Sequence, residues 1–127
     1  MNKPTSFTSQ PRAEGQLCID VGGGSQIEML YQQGASKVLF PRRLVGNEAI
    51  YINTSGGLTS GDCFTTEIKA KDNAQFTFTT QGFERVYRSI DGHCATVCNT
   101  LHITEQASCN WLPQETLLYD GGALNRR

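Results

Sequence analysis

The chain of 127 residues has the length of a single domain, and at that length one hydrophobic core buries roughly two-thirds of the unfolded surface. Hydrophobic residues make up 38% and charged residues 18%, and the formal net charge is -1. These values exclude a disordered chain and the basic field of a nucleic-acid-binding protein. We therefore expect a soluble globular protein with no nucleic acid among its partners.

The first 26 residues differ in character from the rest of the chain. Residues 1–15 are rich in Pro, Ser, Thr and Gln and lack the apolar stretch of a secretory signal. We predict that residues 1–26 form a variable N-terminal tail with a first turn or strand, and that residues 27–127 form the folded domain. Apolar runs such as residues 38–40 are far shorter than the roughly 20 residues that cross a bilayer, so we expect a cytoplasmic protein that does not enter a membrane.

Apolar residues recur at every second position along most of the chain, a period typical of β-strands. In chain order, strands are predicted over residues 27–31, 37–40, 49–53, 64–68, 74–80, 95–103 and 108–112. The segment around Val86 and Tyr87 fits either an extended strand or a short helical turn. Turn residues separate these runs every 10 to 12 positions or so, roughly as in all-β proteins. We predict an all-β fold, mainly strands with few short helices.

A weak internal repeat runs through two of these strands. Residues 72–78 and 105–111 both read as a polar turn, an alanine and then a strand, at an offset of 33 positions. This offset is compatible with one coil of a β-solenoid, although two short matches also arise by chance in a β-rich sequence. A further strand begins at residues 117–119, with nothing after it to cap a stacked β-architecture. We expect a β-helix-like solenoid that is truncated, either a fragment or an obligate subunit.

The stretch TSGGLTSGD, residues 54–62, combines three glycines with hydroxyl groups and one carboxylate. A phosphate-binding P-loop needs a lysine and a hydroxyl directly after the last glycine, where this chain has Asp62 and Cys63. The glycines also fail the GxGxxG pattern of dinucleotide-binding folds, and no helix is expected to follow. We therefore expect a tight turn in which the glycines permit positive φ and the polar side chains bond the local backbone.

Five cysteines at irregular spacings fit reduced thiols better than a disulfide framework. On a helix, Cys94, Cys98 and His102 would share one face and could bind a metal ion. The alternation over residues 95–103 favours a strand, in which four residues span about 13 Å, whereas two thiolates on one zinc lie within about 4.6 Å of each other. A metal site is therefore disfavoured, and a hydrolase that uses Cys94 or Cys98 with His102 lacks a positioned base.

Other charged residues give no catalytic pattern. Asp62, Glu67, Glu84 and Glu115 could pair as acid and base, but each is equally well a solvated or turn carboxylate. The arginine pairs at residues 42–43 and 126–127 are interpreted as ordinary surface charges by the same reasoning.

Several unusual strings occur in order from residue 31 onward. They are YQQG (31–34), KVLFPR (37–42), NTSGGLTSGD (53–62), TTQ (79–81), VYRS (86–89), WLPQET (111–116) and LYDG (118–121). Together they resemble the UreD family of urease accessory proteins, called UreH in some systems. The resemblance covers residues 27–127, and Ser60 stands where that family usually has glycine.

The resemblance implies a scaffold that is not an enzyme and that acts in assembly of the nickel centre of urease. Members of that family are cytoplasmic, have a β-helix-like fold, and bind UreF, UreG and the urease apoprotein. They are thought to pass nickel through an internal water-filled path, so no cofactor is bound stably and nickel is cargo in transit. Because family members are about twice as long, the resemblance implies that this chain is an N-terminal half.

A nickel path needs oxygen ligands that release the ion, since a thiolate cage would trap it. The matching strings make Asp62 and Glu115 the predicted transient nickel contacts. The predicted path or partner residues are Thr79, Thr80, Gln81, Tyr87, Arg88, Ser89, Trp111 and Gln114. A structural role in turns or interior hydrogen bonds is the alternative for each residue. For the whole chain, the alternative is a generic β-solenoid protein-binding module that handles no metal.

Overall fold

The computed structural model describes residues 12–42 and 47–127. Within these ranges the chain forms eleven strands, β1 to β11, and the only helical segment is the three-residue 3-10 turn Gly23–Ser25. The strands are β1 Glu14–Val21, β2 Ile27–Gly34, β3 Ser36–Leu39, β4 Asn47–Asn53, β5 Cys63–Ala70, β6 Gln75–Thr80, β7 Glu84–Val86, β8 Ala95–Ile103, β9 Ser108–Leu112, β10 Thr116–Leu118 and β11 Leu124–Arg126. The prediction of an all-β fold is confirmed.

The strands form three sheets. A five-stranded sheet has the order β11-β8-β5-β1-β2, a four-stranded sheet has the order β3-β4-β6-β9, and β10 pairs with β7 in a two-stranded sheet. The pairs β1–β2 and β3–β4 are antiparallel, and they place β2 and β3 at the edges of the two larger sheets. The remaining strand pairs are parallel.

The parallel ladders account for the internal repeat. Cys63 pairs with Thr96 on β5 and β8, and Gln75 pairs with Ser108 on β6 and β9. Both pairs are 33 positions apart, the same separation that the hydrogen bond from Thr79 to Leu112 spans. The repeat therefore marks segments that lie side by side in register. The three sheets remain separate and do not close on one another, so the solenoid stays a prediction.

The N-terminal segment contributes more than a tail. The list of predicted strands began at Ile27 and omitted β1, which precedes it, lies between β2 and β5, and falls where a first turn or strand was expected. Leu17 and Ile19 of β1 are fully buried in the main hydrophobic cluster. The alternation of apolar and polar residues over Glu14–Val21 is visible in the sequence, but the polar residues before it obscured it. Residues 1–11 of the predicted tail lie outside the described residues, and the division at residue 26 stays a prediction.

Two apolar clusters form the core. The larger cluster joins the inward faces of the two larger sheets, with Ile68 and Phe76 almost completely buried. The smaller cluster surrounds Leu58, Phe64 and Val86. Strict alternation of burial along β5 shows why its sequence, CFTTEIKA, forms a strand with one face toward the core.

Two assignments near the end of the chain are now defined. The segment around Val86 is extended, as β7, rather than a helical turn. The segment after residue 119 is more than a turn, because Leu124–Arg126 pairs in parallel with β8. Sequence patterning missed β11, since three residues are too few to display a period.

Candidate functional site

A cavity of about 320 Å³ is lined by residues from all three sheets. Phe64, Thr66, Val97 and Asn99 line it from the five-stranded sheet, and Tyr51, Phe78 and Trp111 from the four-stranded sheet. Glu84 and Thr116 line it from the two-stranded sheet. The cavity therefore extends past several successive strands of each ladder, with both polar and apolar walls.

Aromatic side chains form one wall of the cavity. Phe78 stacks on Trp111 with ring centroids 4.3 Å apart and planes 6° from parallel, and Tyr51 lies 5.8 Å from Phe78. The Tyr51 and Ser36 hydroxyls are hydrogen-bonded at 2.8 Å. Burial raises the pKa of Tyr51, the Ser36 hydrogen bond opposes that rise, and the Glu84 carboxylate adds to it. The Tyr51 hydroxyl is therefore held protonated at neutral pH.

An ion pair also lines the cavity. The Arg126 guanidinium forms an ion pair with the Glu84 carboxylate through Nη2 and donates from Nη1 to the Thr116 hydroxyl at 3.2 Å. Thr116 in turn donates to Glu84 Oε1 at 3.1 Å. These contacts link β7, β10 and β11, so two sheets are joined across the cavity.

Four of the predicted path or partner residues line the cavity: Thr80, Gln81, Trp111 and Gln114. The Thr80 hydroxyl accepts the Gln114 backbone N–H at 2.9 Å and donates to the Gly82 carbonyl at 3.0 Å. Thr79 is the neighbouring residue on the same strand and does not line the cavity; its hydroxyl donates to the Leu112 carbonyl at 2.9 Å. Strand alternation accounts for this difference between adjacent threonines.

Asp62 is one of the two predicted nickel contacts, and its carboxylate is occupied by the backbone. The residue is 3% exposed, Oδ1 accepts the Ala13 N–H, and Oδ2 accepts the Thr59 N–H, each at 2.9 Å. These bonds attach the start of β1 to the glycine-rich loop. In this structure Asp62 organises the loop, and it is not among the residues that line the cavity.

Glu115 is the other predicted nickel contact, and the structure does not bring it together with Asp62 in a metal-binding group. Its side chain is exposed, and its backbone carbonyl accepts the Glu84 N–H at 3.0 Å. Across residues 12–42 and 47–127, no group of three or more His, Cys, Asp or Glu side chains could hold a metal ion.

The predicted residues Tyr87, Arg88 and Ser89 lie around the glycine-rich loop and do not line the cavity. Tyr87 stacks on Tyr119 with centroids 5.5 Å apart, and Arg88 forms a backbone bridge with Gly122. The Ser89 hydroxyl accepts a hydrogen bond from Ser60 at 2.9 Å. These residues fasten the loop to the turn that follows β10.

The glycine-rich loop extends the stacking of the two-stranded sheet. Leu58 is buried and forms a parallel bridge with Val86, reinforced by its N–H, which donates to the Arg85 carbonyl at 2.8 Å. Gly57 has a φ of 158°, and a side chain there would place a Cβ 2.9 Å from the Arg85 carbonyl oxygen. The turn predicted from the sequence is present, and the close approach of two backbone segments requires glycine at this position.

Cys98 and His102 lie on β8, which is a strand as predicted. Cys94 is exposed just before it, and all five cysteines are free thiols. Burial raises the pKa of the Cys109 thiol, which keeps it protonated and unreactive at neutral pH.

Glu84 and Arg126 are two of the cavity residues that sequence reasoning missed. Glu84 was left open between an acid–base role and a solvated or turn carboxylate, and Arg126 was interpreted as a surface charge, but both line the cavity. Glu84 pairs in register with Thr116 on β10, and Arg126 pairs with Val97 on β8. Short strands of three residues carry no detectable period, so this inward placement is visible only once the register is known.

The sequence model of the family described as UreD urease accessory protein matches residues 12–127. The chain belongs to the UreD family. It is 44% identical over 108 residues to urease accessory protein UreD of Ruegeria pomeroyi, a match that covers 84% of this chain and 42% of the relative. It is 37% identical over 124 residues to UreD 1 of Methylobacterium radiotolerans, covering 94% of this chain and 43% of the relative.

A third UreD relative, from Brucella suis, is 43% identical over 115 residues, which is 89% of this chain and 41% of the relative. The chain thus spans less than half the length of the UreD relatives it matches. The family and these relatives are described as accessory proteins rather than enzymes, which confirms the predicted class. In the described part of the chain, no helix has the length and apolar character needed to span a membrane.

Proposed function

We propose that this chain is part of a cytoplasmic, non-catalytic scaffold that delivers nickel during maturation of urease. The observation that carries the proposal is the cavity, whose lining includes hydroxyl, amide and carboxylate groups from all three sheets. Oxygen ligands bind nickel more weakly than thiolates and so allow it to be released. The family membership and the urease accessory relatives support the same direction.

The proposed path runs through the cavity, and the predicted residues divide between two roles. Thr80, Gln81 and Gln114 offer oxygen atoms at the wall, and Glu84 adds the charge that Asp62 and Glu115 were predicted to supply. Asp62 acts by holding the loop in place, because its carboxylate already accepts two backbone N–H groups. Glu115 remains a proposed contact at the surface.

The proposed partners are UreF, UreG and the urease apoprotein. Exposed apolar side chains, among them Phe83, Ile90 and Leu118, offer contact area of the kind that protein partners cover. We further propose that the parallel ladders belong to a β-helix-like solenoid, and the shared offset of 33 positions supports this.

A charge placed inside the cavity tests the nickel path. Asn99 lines the cavity from β8, while its neighbour Thr100 is exposed on the same strand. Asn99→Lys, made in the complete product of the gene, should reduce urease activation at limiting nickel at least about tenfold, since a fixed cation repels the nickel ion. Thr100→Lys adds the same charge outside and should activate normally.

Folding and partner binding serve as controls for this test. Thermal unfolding should show both lysine variants folded, and co-purification with UreF and the urease apoprotein should be equal for both. Normal activation by Asn99→Lys would contradict the nickel path and favour the second candidate, a protein-binding module with no metal handling. That candidate is favoured by one observation, the absence of a clustered metal-binding group among the described residues. Failure of the unmodified protein to co-purify with either partner would contradict both.

A further inference from the structure

Arg126 places a charged side chain in the cavity, at a position where the two neighbouring strands of its sheet carry apolar side chains. On the five-stranded sheet, Phe64 pairs with Val97, and Val97 pairs with Arg126. Phe64 and Val97 are 4% and 7% exposed and belong to the smaller apolar cluster. All three residues line the cavity. Arg126 therefore lies in register with Val97 and Phe64 on adjacent strands, and it is the one of the three with a charged side chain. We call these three positions the apolar column.

The guanidinium is directed at the one carboxylate of the lining. Among the described residues that line the cavity, Glu84 is the sole acidic one. Arg126 pairs with its Oε1, and Thr116 bridges the two by accepting from Arg126 and donating to that same oxygen. Both side chains keep partial solvent access, 38% for Arg126 and 29% for Glu84. A pair with this exposure can separate at modest cost.

We propose that Arg126 acts as a gate for cations. Its guanidinium is paired with the Glu84 carboxylate and must move away before a divalent ion can bind that carboxylate. This inference rests on the proposed function and adds its regulation. A divalent cation and a guanidinium compete for the same carboxylate oxygen, because both are drawn to its negative charge. With the gate closed, the lining presents hydroxyl and amide oxygens but no free carboxylate. With the gate open, Glu84 and Thr116 form a site of oxygen ligands.

Arginine suits this role better than lysine would at the same position. Its planar guanidinium donates from two nitrogens at once, here to Glu84 and to Thr116, so both contacts are lost in a single movement of one side chain. The aliphatic stem stays at the apolar column while the charged head moves.

Nickel binding to the purified gene-encoded protein tests the gate without relying on urease activation. In equilibrium dialysis with Ni²⁺, Arg126→Gln should bind the ion at least about tenfold more tightly than the unmodified protein, because the cation paired with Glu84 is gone. Arg85 also lines the cavity and is unchanged in both proteins. Arg126→Lys retains a cation beside Glu84 and should gain less affinity than Arg126→Gln, because its charge still competes for the carboxylate. The double variant Glu84→Gln/Arg126→Gln should return to the starting affinity, since the freed ligand is removed.

Arg126→Met is a second variant for the case in which Arg126→Gln does not fold, because methionine keeps an apolar stem of similar length. Arg126→Met should show the same gain in nickel affinity. Affinity within twofold of the unmodified protein for both folded variants would overturn the gate. A gain that persists in the double variant would overturn it as well, because the new site would not include Glu84. The gate and the proposed function fail separately: a gain that depends on Glu84 supports the gate even where the protein does not activate urease.

Discussion

The structural roles of individual carboxylates in this chain cannot be told apart from the neighbouring sequence. Asp62 and Glu84 follow similar polar stretches, yet one accepts two backbone N–H groups in a loop and the other lines the cavity beside an arginine. Thr59, one partner of Asp62, is local and agrees with the predicted turn, but the partners Ala13 of Asp62 and Arg126 of Glu84 are 49 and 42 positions away. Contacts over such separations follow from the register of the ladders, so residue type alone could not predict them.

The Asp62 carboxylate should contribute measurably to stability. In Asp62→Asn, one of the two N–H groups would face an amide nitrogen, leaving a buried donor unsatisfied at a cost of about 1–3 kcal/mol in the free energy of unfolding. Urea denaturation measures this loss. Asp120→Asn makes the same change at an exposed position and should be close to neutral. Equal stability of the two variants would show that the loop does not depend on the two hydrogen bonds accepted by Asp62.

Glu105 should make stability depend on pH. A side-chain hydrogen bond with Asp72 raises the pKa of Glu105 above its usual value of 4.5, and repulsion between the two carboxylates adds to the rise. Because the folded-state pKa is raised, its contribution to stability is present below pH 4.5 and is lost as pH rises through the folded-state pKa. Glu105→Gln keeps a donor for Asp72 without the charge.

The thermal midpoint of Glu105→Gln should therefore exceed that of the unmodified protein at pH 7 and match it near pH 4. Glu115→Gln changes the net charge equally at another exposed position and should show no such divergence. A constant difference between Glu105→Gln and the unmodified protein across this range would contradict the interaction with Asp72.

Elements long enough to display a period could be predicted from the sequence. β5, β6, β8 and β9 were all placed correctly, because alternation over five or more residues identifies both the strand and its inward face. Of the three-residue strands, β7 was left open between a strand and a helical turn, β10 was predicted to begin one residue late, at residue 117, and β11 was missed. Their conformation is imposed by pairing with the preceding layer, a tertiary effect that local patterning does not contain.

β1 should be essential to the fold. Leu17 is fully buried between the two larger sheets, so Leu17→Ala should lower the free energy of unfolding by about 2–5 kcal/mol. Gln16→Ala changes the exposed neighbour on the same strand and should have little effect. Chemical denaturation compares the two. Equal stability of the two variants would show that the fold does not depend on the burial of β1.

At the scale of the whole molecule, fold class and family could be predicted from the sequence, while the cavity could not. The alternating strands and the ordered strings led to an all-β chain of the UreD family. The cavity depends on how three sheets face one another, and its lining comes from segments as distant as Tyr51 and Arg126. Half of the predicted path or partner residues line the cavity, because they lie at inward-facing strand positions or in the turns beside those strands.

The common offset of the β5–β8 and β6–β9 ladders limits how the length of this protein can change during evolution. Losing one residue inside β6 would turn Phe78 outward and bring Thr79 inward, so small insertions and deletions should be confined to corners such as residues 72–73 and 105–106. Duplication of a complete 33-residue unit would leave the side chains of these two ladders on their original faces. Tandem duplication is thus the genetic event by which such a polypeptide could lengthen without disturbing its interior.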